Sequence, residues 1–137
     1  MDQAPTVTDR PTRALLADVP GAGRRAIAAL LRWLPGIVLV AEVGSADELA
    51  RELPRSVPDV VVIDDRLLDA ASAQLGHADV RVIVMGLDDD PSFARRAQRL
   101  GASAWIAKEQ ADELLPAALD RTRHHAWSPP LSPEASG

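Results

Sequence analysis

Cysteine is absent from the 137 residues, which excludes disulfides, thiol redox chemistry and thiolate metal sites. A basic balance is absent too. Fifteen Lys and Arg stand against 20 Asp and Glu, for a net charge of -5, and a chain without a basic face does not neutralise nucleic-acid phosphates directly. No apolar run approaches the roughly 20 residues of a bilayer span, and no basic amphipathic helix suggests a membrane surface. Met1 to Pro11 has neither the basic start nor the apolar core of a secretory signal, so the expected compartment is the cytoplasm and no membrane partner is expected. Internal repeats are missing, and the length fits one domain with no room for a second. Lysine is almost missing: Lys108 is the single one, and every other cation is arginine. Arginine presents a planar fork and lysine a point charge on a flexible stem. The exception therefore points to a local need for a compact ammonium, with chance survival as the plain alternative.

What is present divides into tails and a patterned centre. Residues 1–11 and 125–137, the second carrying Ser-Pro-Pro and Ser-Pro, read as a disordered N-terminal tail and a Pro/Ser-rich tail or linker stub around a domain at 12–124. Ala14 to Ala17 reads as a short buried strand. Arg24 to Leu34 sets Ile27, Leu30, Leu31 and Leu34 on one helical face before Pro35-Gly36 stops it. Ile37 to Val43 is a second strand. Ser45-Ala-Asp-Glu48 is a capping-box pattern opening a helix to about Leu53, where Pro54 to Pro58 breaks it. Val60-Val-Val-Ile63 is β-branched throughout, as in a strand buried on both faces. Arg81 to Met85 is a fourth strand. Asp90-Pro91 caps and starts a helix to about Leu100, Ala104 to Ala107 is the fifth strand, and Asp112 to about His124 is the last helix, with Pro116 predicting a kink or a late start.

Five short strands alternating with helical segments imply an α/β fold with a parallel sheet and helices on both faces. Ligands in such sheets bind beyond the carboxyl ends of the strands. Asp18 follows strand one, Asp64 and Asp65 follow strand three, Gly86 to Asp90 follow strand four, and Lys108 follows strand five. Other constellations are poor: His77, His124 and His125 show no ligand spacing with acids, no Ser/His/Asp order stands out, and Gly21-Ala-Gly23 lacks a phosphate-loop or dinucleotide fingerprint. No enzyme is expected.

Residues 12–124 resemble a response-regulator receiver (CheY-like) domain of the NarL/LuxR-type subfamily. The resemblance rests on Leu15-Leu-Ala-Asp18, Pro58-Asp-Val-Val-Val-Ile-Asp64, Arg81-Val-Ile-Val-Met85 and Gly101-Ala-Ser-Ala-Trp-Ile-Ala-Lys108, in order and near the family's spacing. It implies a flavodoxin-like doubly wound sheet of order 2-1-3-4-5. It also implies Asp64 as phosphoacceptor, Asp18 and Asp64 as an acidic pocket for a divalent metal, and Lys108 as the phosphoryl contact. An aspartate can act as nucleophile and magnesium as Lewis acid in such chemistry.

Departures from the family surround every one of these positions. Val19 stands where a second acid is usual, and Gly86 replaces the strand-four Thr or Ser, whose hydroxyl couples to an aromatic on strand five, here Trp105. Asp65 replaces an apolar neighbour, and the segment after it is about five residues short, so the third helix is expected to shrink to a turn or two. Asp65 could replace the lost acid only against the alternation of a strand, which turns neighbours to opposite faces. Asp88-Asp89-Asp90 reads either as a donor of a metal ligand or as a solvated loop ending in a cap. Trp33 and Trp105 are either binding anchors or core residues.

The resulting expectation is a degenerate receiver in signal transduction and transcription regulation, acting by protein–protein interaction or dimerisation, with weak or no phosphorylation of Asp64. No cofactor, or weakly bound Mg, is expected. Expected partners are a second copy and a histidine kinase or other regulator, with nucleic acid reached only through a separate C-terminal helix-turn-helix domain. Two alternatives are a working phosphoacceptor using Asp64 and Mg, and a small-ligand sensor with an anion pocket at Lys108.

Overall fold

The computed structural model describes residues 10–87 and 90–124. Residues 1–9 and 125–137, to which most of both expected tails belong, and Asp88-Asp89 lie outside the described residues. Five strands, β1 (Thr12–Ala17), β2 (Ile37–Val43), β3 (Val60–Asp64), β4 (Arg81–Gly86) and β5 (Ala104–Ala107), alternate with helices α1 (Ala22–Trp33), α2 (Ala46–Ser56), α3 (Asp65–His77), α4 (Pro91–Arg99) and α5 (Ala111–Arg121). The strands form one parallel sheet of order β2-β1-β3-β4-β5. This is the doubly wound, flavodoxin-like arrangement expected from the sequence.

Why the central strands are apolar at every position is visible in the core, which has two halves divided by the sheet. Leu16, Val60, Val62 and Ile106 pack with Ile27 and Leu115 on one face, whereas Leu15, Val61, Ile63 and Trp105 pack with Leu49 and Leu68 on the other. Alternate residues of one strand serve opposite faces, and with helices on both faces the central strands have no solvent side. The same alternation sets the functional edge. Asp18, Asp64 and Lys108 each lie two residues beyond Leu16, Val62 and Ile106, so all three share the face of the sheet that carries α1 and α5.

The capping signals are realised. Ser45 Oγ accepts from the Glu48 amide at 3.1 Å, and the Glu48 carboxylate accepts from the amide of Gly44, one residue before the cap. Asp90 Oδ1 accepts from the Ser92 amide at 2.9 Å and Pro91 opens α4.

Three expectations need correction. The third helix is not reduced to a turn or two: α3 has 13 residues. No loop separates strand and helix, because β3 ends at Asp64 and α3 begins at Asp65, with Asp64 itself as N-cap. Pro54 does not end α2, which runs on to Ser56 and closes when Val57 turns left-handed at φ 45 and donates to the Leu53 carbonyl at 3.0 Å. A proline in the last turn removes one donor and leaves the turn after it free to form. Of the kink or late start expected at Pro116, the late start is not what the helix does: α5 starts at Ala111 and runs through the proline. The lost backbone bond is offset by burial of Leu114, Leu115, Ala118 and Leu119 along its inner face.

Candidate functional site

The pocket at the carboxyl edge of the sheet is built from strand ends. Asp18 leaves β1, its amide bonded to the Val43 carbonyl at 3.0 Å; Asp64 ends β3, and Lys108 follows β5 at the start of a short 3-10 turn. Asp18 is fully buried and Asp64 nearly so. Lys108 reaches up between them, with Nζ at 2.7 Å from Asp64 Oδ2 and 2.7 Å from Asp18 Oδ2. Only the Asp64 contact has the direction of a hydrogen bond. Asp18 therefore meets its partners as charges, and neither of its oxygens accepts a directed hydrogen bond from the described residues. The three residues singled out in the sequence are thus in contact.

A fourth member has no counterpart in that reading. Arg66, in the first turn of α3, folds back on the preceding residue but one. Its amide and Nε donate to Asp64 Oδ1 at 2.8 and 2.9 Å, and Nη2 donates to Oδ2 at 3.1 Å. The same Nη2 lies 3.9 Å from Asp18 Oδ1. A carboxylate offers about four lone-pair sites over two oxygens. At Asp64 all four are taken, three by Arg66 and one by Lys108. Burial by itself would raise the Asp64 carboxyl, yet these hydrogen bonds outweigh it and hold the group well below the usual carboxylate range. Asp64 in turn raises the Arg66 guanidinium. The one sequence signal for Arg66 was its place two residues beyond a helix-capping acid, where side chain and cap can meet.

The remaining positions sort themselves around this pocket. Val19 is half-buried and contributes no oxygen. Asp65 does not replace the missing acid: it points to α4, where Arg96 Nη1 donates to it at 3.1 Å and Arg96 also pairs with Asp69. Gly86 does more than lack a hydroxyl. A Cβ built there would fall 2.4 Å from Trp105 Cζ2 and 2.8 Å from Cε2 and Nε1, so the indole occupies the volume a strand-four side chain would need. Trp105 is 5 % exposed and its Nε1 has no hydrogen-bond partner among the described residues. Trp33, by contrast, is 82 % exposed at the end of α1.

A divalent metal does not fit this arrangement. The oxygens of buried Asp18, which accept no directed hydrogen bond from the described residues, are what a cation would seek, but the lone pairs of Asp64 are already bonded and two cations neutralise the two acids. Among the described residues no three potential ligands cluster, whereas magnesium demands near-octahedral oxygen coordination.

No protein-family model matches the sequence, and no curated protein matches it significantly. Solved structures do match. The chain is similar to the signal receiver domain of a NarL response regulator from Mycobacterium tuberculosis, at 21 % identity and TM-score 0.73, covering 83 % of this chain and 98 % of that one. It is similar to a two-component response regulator of the LuxR family from Aurantimonas sp. SI85-9A1, at 24 % identity and TM-score 0.75, covering 92 % and 93 %. A third match is the RcsB response regulator of Salmonella typhimurium, at 18 % identity and TM-score 0.75, covering 92 % of this chain but 65 % of that longer one. At these identities the likeness establishes architecture, and the chain has the five-stranded receiver fold of the response regulators.

Proposed function

We propose that this chain is a degenerate receiver module of signal transduction and transcription regulation, working through dimerisation or partner docking, with Asp64 phosphorylated weakly or not at all. The observation that carries this reading is the saturation of Asp64. To attack phosphorus, a carboxylate oxygen must present a free lone pair. Here every lone-pair direction holds a donor, and the depressed basicity makes the oxygen a poorer nucleophile. Gly86 supplies no hydroxyl to a transferred phosphoryl group, and a bond of that kind to a charged acceptor is worth about 1.5–3 kcal/mol.

Docking has support of its own. Trp33 is an exposed, rigid aromatic of the type enriched in binding hot spots, and a second copy or a regulator protein is the proposed partner. The match to 65 % of the RcsB chain supports a DNA-binding domain outside these residues as the route to nucleic acid. Among the described residues no helix is long and apolar enough to cross a membrane, and the cytoplasm remains the proposed compartment. No catalytic set is proposed. The small-ligand reading is disfavoured by size: the cavity between Arg66, Leu87 and Phe93 holds about 130 Å³, against the ~300–1,000 Å³ of ordinary ligand pockets.

A second reading, a working phosphoacceptor, is favoured by one fact. Arg66 is 53 % exposed, so its own hydrogen bonds are what hold it over Asp64. Intact mass after incubation with acetyl phosphate and magnesium, beside Asp64→Asn and a light-scattering mass, separates the two. The proposal expects little or no adduct and an oligomeric state unchanged by the treatment. Stoichiometric uptake of one phosphoryl group, lost in Asp64→Asn, would refute it.

A further inference from the structure

The pocket closes its own charge. Two buried carboxylates, Asp18 and Asp64, face two cations, Lys108 and Arg66, and all four belong to one chain. The cations are held differently. Lys108 comes in from below with its side chain 10 % exposed, whereas Arg66 lies across the mouth, forked on Asp64 and facing Asp18 Oδ1. Asp18 is paired with Lys108 Nζ at 2.7 Å and lies 3.9 Å from the guanidinium, but neither of its oxygens accepts a directed hydrogen bond from the described residues.

We propose that Arg66 is the resident counter-cation of this pocket, a tethered substitute for a divalent metal ion, and that its guanidinium is what keeps such ions off the Asp18 and Asp64 pair. The inference rests on reading these acids as a receiver-type acidic pocket. Magnesium and manganese bind through oxygen lone pairs in near-octahedral geometry and carry two charges. Both Asp64 oxygens already accept N–H bonds from Arg66, and a divalent ion entering beside a guanidinium meets like charge at close range. Guanidinium is also the cation best matched to this task, since its planar fork fits a carboxylate and it is more weakly hydrated than an ammonium. Being tethered, it is not diluted or chelated away. The electrostatic state of the pocket thereby becomes independent of the divalent-ion concentration around it.

The test is Mn2+ binding to the full chain, read from the loss of the free-ion electron paramagnetic resonance signal. Wild type is compared with Arg66→Met, which keeps the alkyl stem, and with Asp18→Asn/Arg66→Met. Far-UV circular dichroism confirms folding, and Arg66→Gln, which keeps a donor but not the charge, serves if the methionine variant does not fold. The expected result is affinity at least about tenfold higher without the guanidinium charge, with the gain abolished by Asp18→Asn. Equal affinity with and without that charge, whether measurable or undetectable in both, overturns the inference. So does a gain that survives Asp18→Asn, because the ion then sits elsewhere. Phosphoryl uptake by wild-type Asp64 would sink the functional reading and leave this comparison of affinities standing.

Discussion

Replacing Gly86 by alanine adds one methyl group, and the structure says where it goes. The new Cβ would stand 2.4 Å from Cζ2 of Trp105, where carbon pairs rest at about 3.5–4.0 Å. Gly86 is not one of the glycines with positive φ, so the obstacle is steric and lies in one side chain. Trp105 packs in the core half that includes α4 residues Ala94 and Ala97 and the α3 residue Leu68, so the ring cannot swing aside freely. If it stays, overpacking costs about 1–3 kcal/mol. If it is expelled, the loss approaches the ~3–5 kcal/mol of truncating a buried tryptophan. With Trp105→Ala already in place the collision disappears, and alanine in a strand interior is favoured over glycine by about 0.5–1 kcal/mol. The same methyl group should therefore destabilise one background and stabilise the other. Urea denaturation of the four proteins in this double-mutant cycle measures a coupling of at least about 1.5 kcal/mol. Trp105 emission, followed with Trp33 and Trp127 replaced by phenylalanine, shows whether the ring stays buried. An equal cost of Gly86→Ala in both backgrounds would refute the reasoning. The consequence reaches the site: a hydroxyl cannot be restored at position 86 while Trp105 keeps its place.

Two further outcomes concern the charged pocket. The folded-state pKa of Asp64 is depressed, so its contribution to stability is complete above the unfolded value near 3.8 and is lost as pH falls through that value towards the folded one. The stability gap between wild type and Asp64→Asn in urea should be level from about pH 8 to about pH 5 and narrow below about pH 4; a gap that stays constant to about pH 2 would contradict the assigned hydrogen bonds. Lys108→Met leaves two buried carboxylates with a partner at the mouth only, and should cost about 3–5 kcal/mol at neutral pH. Arg66→Met, at a half-exposed and solvent-screened position, should cost about 1 kcal/mol or less. Thermal or urea unfolding that reverses this order would show that Lys108 is not the buried partner.

The parallel sheet was legible because its signals are local. A β-branched run such as Val60 to Ile63 has one comfortable environment, a strand covered on both faces, and the caps of α2 and α4, Ser45 and Asp90, act within three residues of themselves. The edge of the site was legible for the same reason. Period-two alternation carries Asp18, Asp64 and Lys108 to one face once their strands are aligned, while Asp65, the first residue of α3, turns to α4, where Arg96 holds it.

The length of α3 was not legible, because a helix and a loop can each give up length. Nor was the run of α2 through Pro54, nor the choice at Pro116 between a late start and the start at Ala111 that α5 makes, since core burial there outweighs a missing donor. The state of the pocket was least legible of all. Sequence by itself determined the architecture and which acids and which lysine meet; the tertiary structure decided that Arg66 fills the pocket and that Trp105 fills the space above Gly86. Strand patterning is a short-range property of the backbone, whereas the resting place of a long arginine or a large indole depends on charges and volumes brought together from distant segments by folding.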